Sequence, residues 1–496
     1  MDAVAIGEGR LSVDDVCAVA RGVRVVLEQS ARDRISASRL VIDTVLASGR
    51  AVYGLNTGVG HQKNVRLSED EIRRAQTMLL MTHEGGFGPP AEAELVRAAM
   101  VVRLNGLSRG GSGASPAVAE VLLEMLNAGV HPLVASTGSV GAGDLAQLAS
   151  IGQVAIGQGR AEYGGELLDG AEALRHAGIE PLVPAAKDGL ALMSSNAMSI
   201  GHGARVIAQA IRLGRLADLA AVVSLEAIGG SPEAMMPVVG IAKPYPGQIE
   251  VCRSLTNALQ GSALLEPDAA RSVQDPISFR VVPQVHGAYR DVVGSTRDAT
   301  EIELNAMSDN PLVSVADQSI VHNGNFHPMV MALGFDAVRP AAAHVGQLSE
   351  RRISHLWDAF FERVTAAGGP PPADSGPPEF YGMALRYPAA EVLAELRQLA
   401  APATLDVPSL ESNGTEDHAT GAPLAVRTTE RALGRLECIL VVELLMARDI
   451  LSITRPALRL GVAARETTAV IDGALAGRGS ADAHEAVQAR LRDTLS

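Results

Sequence analysis

Apolar residues recur at helical spacing over most of this chain. The stretches 68–82, 114–128, 204–228, 335–365, 388–400 and 423–453 carry Leu, Val, Ile and Ala at i, i+3 and i+4 with charged residues opposite, a pattern that buries one stripe of a helix. Ser68 followed by Glu71 predicts a capping box at the start of the first stretch. Alternating β-branched runs bounded by turn pairs are scarce, so the expected fold is all-α. Before residue 200, glycine-rich loops alternate with short helices; beyond it long helices dominate, broken by a Gly/Pro run at 366–378 that reads as a surface loop. This change of texture predicts a smaller, loop-rich N-terminal domain over 1–200 and a long helical bundle with C-terminal helices over 201–496.

Composition narrows the function classes. With 496 residues and 47% hydrophobic content the chain can bury a large core. The most apolar stretches, 216–229 and 438–453, are interrupted by Asp218 and Glu226, and by Glu443, Arg448 and Asp449, too often for a membrane span of ~20 residues. A net charge of -14 with no Lys/Arg stripe argues against a nucleic-acid partner and toward small-molecule chemistry. Cys17, Cys252 and Cys438 lie far apart, without the spacing of a disulfide framework or a zinc site. The acidic N-terminus lacks the basic and apolar regions of a secretory signal, so a cytoplasmic protein is expected.

Several segments combine glycine with reactive side chains. VYGLNTGVG (52–60) places Tyr53 on a glycine-rich loop, as a general acid or base if its pKa is lowered, or as an ordinary turn residue. GSVGAGDLAQLAS (138–150) reads as a loop entering a helix at Asp144. In QDPISFRVVPQVHG (274–287), Gln274, Arg280 and Gln284 are polar positions among apolar ones; Arg280 either holds a carboxylate or pairs with Asp275. SNGTEDHATG (412–421) sets Glu416, Asp417 and His418 before a helix, and HNGNFH (322–327) adds two histidines without metal-site spacing. No metal is expected.

In this order the chain resembles the histidine/aromatic amino-acid ammonia-lyases. The motifs are YGLNTGVG, THEGGFG (82–88), GSVGAGDLAQLA, DGLALMSS (188–195), QDPISFR with PQVHG, SDNPL (308–312), NGNFH and TEDH, over residues ~10–460. The resemblance implies the all-α ammonia-lyase/fumarase-like fold with a long central helical bundle, assembled as a homotetramer whose active sites draw on several subunits. Members form an electrophile, a methylidene-imidazolone, from an internal Ala-Ser-Gly. Here the segment runs Gly141-Ala142-Gly143-Asp144, one residue short and without the serine. Ile277 stands where the family has Tyr after Asp-Pro, and Ser194 where it has Asn. The expectation is a lyase scaffold working with no prosthetic group.

Such members are the ergothionases, which eliminate trimethylamine from ergothioneine to give thiourocanate. By that resemblance Tyr53 is the general base, Arg280 the carboxylate clamp, and Glu416, with His83, a contact of the imidazole ring. Asn310, Gln274 and Gln284 are further polar contacts. FYGMALRY (380–387) departs from the histidine-lyase pattern: Tyr381 and Tyr387 suit a quaternary ammonium and Arg386 a thione sulfur, with helix packing as the other reading. His286 has no assigned role. The alternatives are another histidine-derived betaine such as trimethylhistidine, an ordinary histidine or aromatic ammonia-lyase, and a non-catalytic scaffold.

Overall fold

The computed structural model describes residues 3–49, 55–56, 67–366, 380–405, 416–454, 459–478 and 482–495. Tyr53 and all of the 366–378 run except Ala366 lie outside them. The described residues form two compact units, one from Met1–Ala208, Thr296–Leu333 and Pro402–Arg427, the other from Gln209–Ser295, Gly334–Ala401 and Thr428–Ser496. The sequence texture predicts a single division at residue 200, whereas these units interleave along the chain. The helices Ala197–Ile228, Val282–Leu304, Met329–Ala366 and Ala422–Thr454 each run from one unit into the other. A helix that continues through a boundary leaves no linker composition to mark it.

The fold is mostly helical, as the periodicity predicts. Ser68 caps the Glu69–His83 helix: its Oγ accepts from the Glu71 N–H, and Glu71 Oε2 accepts from the Ser68 N–H at 2.8 Å. Two long helices begin before their apolar stripes do, at Ala197 and Met329. Strands are confined to short pairs and one three-stranded sheet, including parallel Ala3–Ile6 with Arg24–Leu27 and the Leu312–Ser314/Ser319–Val321 hairpin.

In the first unit, Val41, Ile42, Val45, Leu55, Ile72, Val313 and Ile320 form one apolar cluster. The Asp188–Met193 helix meets Glu69–His83 backbone to backbone; a Cβ on Gly189 would lie 2.3 Å from the Gln76 carbonyl oxygen. Next to it is a buried polar knot. Arg103 forks onto Asp309, with Nη2 to Oδ1 at 2.7 Å and Nη1 to Oδ2 at 3.2 Å, and its Nε donates to the Ala191 carbonyl at 2.6 Å. Lys187 is fully buried and donates to the Ser112 and Pro311 carbonyls at 2.6 and 2.9 Å; burial, partly opposed by Asp309, lowers its pKa to about 8. The knot fixes the 308–312 segment against the end of the 188–193 helix.

In the second unit, Val222, Leu225, Val251, Leu255, Leu259, Phe279 and Val282 form the core cluster nearest to the Arg280 segment. Among the described residues no helix is long and apolar enough to cross a membrane.

Breaking a buried bidentate pair strands one charge in a medium that cannot solvate it. Arg103→Met is therefore expected to lower the unfolding free energy by about 3–5 kcal/mol, read by denaturant titration. A loss below about 1 kcal/mol would mean that Asp309 finds other donors.

Candidate active site

The first unit gathers four of the singled-out segments around the glycine loop at 138–144. Gly141 and Gly143 both have left-handed φ, +87° and +82°. Ser139 braces the turn from inside, its Oγ accepting from the Gly141 N–H at 3.1 Å and donating to the Gly143 carbonyl at 3.2 Å. The TEDH segment closes it from outside: Thr420 Oγ1 donates to the Gly141 carbonyl at 2.8 Å, and the Gly421 N–H to the Val140 carbonyl at 2.9 Å. A Cβ on Gly141 would fall 2.2 Å from Thr420 Oγ1, so only glycine admits this contact.

Asp144 ends the loop and is fully buried. Its side chain does not cap its own helix, Leu145–Ala155. It reaches the start of Ala197–Ile228, where Oδ2 accepts from the Ser199 N–H at 2.7 Å and Oδ1 from the Ser199 hydroxyl at 2.9 Å. Burial raises its pKa, while hydrogen bonds from Ser139 and Ser199 and the charge of Arg427 oppose the rise. The Asp144 N–H donates to the Ser195 carbonyl at 2.7 Å, so the loop and the 188–199 segment are joined by both backbone and side chain.

Asn196, which no sequence motif marks, also reaches the loop. With its amide oxygen toward the Gly143 N–H at 3.2 Å, its nitrogen donates to the Phe326 carbonyl at 2.6 Å. An asparagine two residues beyond Ser194 therefore holds the loop. Ser194 lies by Asn310, its Oγ 3.5 Å from the Asn310 carbonyl oxygen and 3.4 Å from the Asn310 nitrogen. The Asn310 side chain accepts from the Asn323 N–H at 3.1 Å, tying SDNPL to NGNFH.

His327 stacks on His418 with ring centroids 5.3 Å apart, and Phe326 meets His327 edge-on at 5.2 Å. Burial and the neighbouring His418 lower the His327 pKa. Glu416 and Asp417 precede this pair and are exposed. His83 ends its helix, with Nδ1 2.9 Å from the Leu79 carbonyl; an Nδ1–H donates to that carbonyl.

The second unit holds the other predicted residues. Arg280 closes the single turn Ile277–Arg280, and its Nε donates to the Asp275 carbonyl at 2.8 Å. The sequence left open an ion pair between the two, but the Asp275 carboxylate instead takes the Ser231 N–H at 2.6 Å. Burial raises the Asp275 pKa, countered by that hydrogen bond and by the charge of Arg280. Gln274 is exposed, whereas Gln284 buries an Oε1 that has no hydrogen-bond partner among the described residues. His286 acquires a structural account: its buried Nδ1 lies 2.8 Å from Asp218, which also takes Arg290 at 2.5 Å. Burial lowers the His286 pKa.

The FYGMALRY segment does not leave its aromatic rings empty. Tyr381 is buried with the Arg448 guanidinium 5.6 Å from its ring, and the Asp449 carboxylate accepts the Tyr381 and Gly382 N–H groups at 2.8 and 2.7 Å. Arg386 lies 5.0 Å from the Trp357 ring and 5.8 Å from that of Tyr387. Both tyrosines thus already face a guanidinium of this chain, and the arrangement favours packing over an ammonium cage at Tyr381.

The sequence profile of the aromatic amino acid lyases matches residues 11–473. A histidine ammonia-lyase of Gloeobacter violaceus is 38% identical over 452 residues, covering 89% of this chain and 86% of that protein. Among solved structures, the ergothionase of Treponema denticola, crystallised with desmethyl-ergothioneine sulfonic acid, aligns with a TM-score of 0.89 at 27% identity, over 100% of this chain and 99% of that one. The histidine ammonia-lyase of Trypanosoma cruzi aligns at 0.87 and 27% identity, over 99% and 93%. The segments assembled at the glycine loop are those that carry the resemblance in sequence, and with the profile match they establish that the chain belongs to the aromatic amino acid lyase family, enzymes that break carbon–nitrogen bonds.

Proposed function

We propose that this lyase eliminates trimethylamine from ergothioneine, giving thiourocanate, without a methylidene-imidazolone. The observation that carries the reading is the chemistry of the glycine loop. The methylidene carbon of that group derives from a serine Cβ by loss of water, and Gly141-Ala142-Gly143-Asp144 contains no serine. Ser139 does not replace it, because its hydroxyl braces the turn in both directions. The Gly143 N–H, which the cyclisation needs as nucleophile, faces the Asn196 amide oxygen. These residues do not fit the prosthetic group.

A betaine removes the need for it. The substrate nitrogen is permanently cationic, has no lone pair to offer an electrophile, and departs as a neutral amine. In this reading the Tyr53 phenolate takes the β-proton, the C–H pair becomes the Cα=Cβ bond, and the Cα–N bond breaks with its pair going to trimethylamine. Arg280 holds the carboxylate, and Glu416 with His83 contacts the ring, so that the imidazole accepts charge developing at the β-carbon. Gln274, Gln284 and Asn310 are further polar contacts; the unpartnered Oε1 of Gln284 supports its place among them. Arg386 and Tyr387 remain candidates for the sulfur and the ammonium. A homotetramer belongs to the same reading, by resemblance to the family. The free state of Cys17, Cys252 and Cys438 suits a reducing cytoplasm.

The second reading is a histidine ammonia-lyase, favoured by 38% identity to a relative of that name. Purified protein mixed with ergothioneine, trimethylhistidine or histidine separates the two. Release of trimethylamine with a matching rise in conjugated-acrylate absorbance is expected from ergothioneine, and none from histidine. Turnover of histidine alone would reverse the assignment, and turnover of trimethylhistidine alone would remove the sulfur. Intact mass should equal the sequence mass, whereas a deficit of two waters would reveal the prosthetic group. Tyr53→Phe is expected to lower kcat by about 10²–10⁴-fold, the usual range for a lost general base, with substrate still bound in a calorimetric titration.

A further inference from the structure

The turn that carries Arg280 is too short to orient itself. One helical turn, Ile277–Arg280, forms few of its own hydrogen bonds, and nucleating such a turn is unfavourable. Its direction therefore comes from what it is fastened to. Phe279 is buried in the apolar cluster, and Asp275 is fastened to the Ser231 N–H. The third fastening is the Ser278 carbonyl, which accepts from Nη1 of Arg352 at 3.1 Å.

Arg352 is itself immobilised. It is buried at 0% exposure against Glu443, also at 0%, with Nε to Oε1 at 2.6 Å and Nη2 to Oε2 at 3.0 Å. Glu443 takes two more donors, Ser224 Oγ and Ser349 Oγ, each at 2.6 Å. The pair thus joins the Ala197–Ile228, Met329–Ala366 and Ala422–Thr454 helices and leaves one guanidinium arm for the Arg280 turn. Two guanidinium nitrogens suffice for the carboxylate, so the third sets the height and rotation of the turn.

We infer that Arg352, held by Glu443, is a positioning residue: it fixes the Ile277–Arg280 turn so that Arg280 meets the substrate carboxylate. This rests on the reading of Arg280 as the carboxylate clamp. Arg352 touches no substrate, and its effect passes through the Ser278 carbonyl. A carboxylate contact is made in ground and transition states alike, so its loss shows mainly in KM.

The test separates position from stability. Replacing both charges at once, as Arg352→Met/Glu443→Leu, keeps the volume and strands no ion; such exchanges are often neutral or stabilising. The freed serine hydroxyls can turn to helix carbonyls. The double variant is expected to unfold within about 3 °C of the parent protein. Its KM for the turned-over carboxylate substrate should rise at least about tenfold, with kcat changed less than about threefold. Adding Arg280→Met should raise KM little further, because both changes remove the same contact. A folded double variant with unchanged KM, or an effect that adds fully to that of Arg280→Met, overturns the inference. Should the double variant not fold, Arg352→Lys keeps a cation on Glu443 without the arm to Ser278, and the same KM outcomes apply.

A binding readout distinguishes this failure from failure of the functional reading. Calorimetry with 3-(imidazol-4-yl)propionate and with 4-ethylimidazole, which lacks the carboxylate, needs no turnover. If neither ergothioneine nor trimethylhistidine is turned over, the functional reading fails. A preference of the parent for the propionate that the double variant loses still supports the positioning role. A preference that survives in the double variant, or none in the parent, overturns it.

Discussion

A glutamate and an arginine with no exposed surface can persist in a helical core only if every lone pair and proton finds a partner. Desolvating two ions costs several kcal/mol each, and the Arg352–Glu443 pair offsets this with two short contacts, two serine hydroxyls and one carbonyl. The donors come from two long helices and the carboxylate from a third, so the carboxylate fixes the register of three helices as well as their proximity. Leucines in the same places would give comparable burial with far less restriction on sliding. The polar knot thus selects one packing among several that the apolar stripes alone would tolerate, and the segment carrying Arg280 is fastened to that packing.

The first unit uses the same device in a different place. Asp144 is buried, caps a helix other than its own, and gives its N–H to Ser195. Around it, Ser139, Asn196 and Thr420 hold a loop whose glycines adopt left-handed backbone. This is costly architecture for a loop without a role. Four side chains and a helix N-terminus maintain its geometry, which on the proposed reading serves a pocket wall rather than a cyclisation.

Much of this was legible in the sequence because it was local. The 3.6-residue period located the long helices, and Ser68 with Glu71 marked a cap that is present. The starts of the 197–228 and 329–366 helices were not legible, since AMSIGHG and its counterpart lack a continuous apolar stripe. Asn196 escaped because the Asn of the family motif points to position 194, and only the fold shows an amide two residues later reaching the loop. Tyr381 looked like a free aromatic face because the cation covering it, Arg448, lies 67 positions further along the chain. The role of His286 was hidden in the same way, as its partner Asp218 belongs to another helix. Tertiary polar contacts leave no periodicity, and they are what the sequence could not supply.

This chain is similar both to a histidine ammonia-lyase and to an ergothionase, and the two likenesses differ in physical content. Identity of 38% spread over 452 residues records mainly which positions are buried, capped or turned, since these are most numerous and constrain the scaffold. A leaving group is decided by a handful of positions, and the absence of a single serine hardly moves an identity score. An amino acid must have its nitrogen, or its ring, made electron-poor before ammonia can depart. A trimethylammonium group arrives in that state, carries its charge at every pH, and leaves by neutralising it. For such a substrate the scaffold has only to hold the carboxylate, receive the ring and place one base at the β-carbon. On the proposed reading those demands fall on Arg280, on His83 and Glu416, and on Tyr53, in a chain whose Gly141-Ala142-Gly143-Asp144 loop holds no serine.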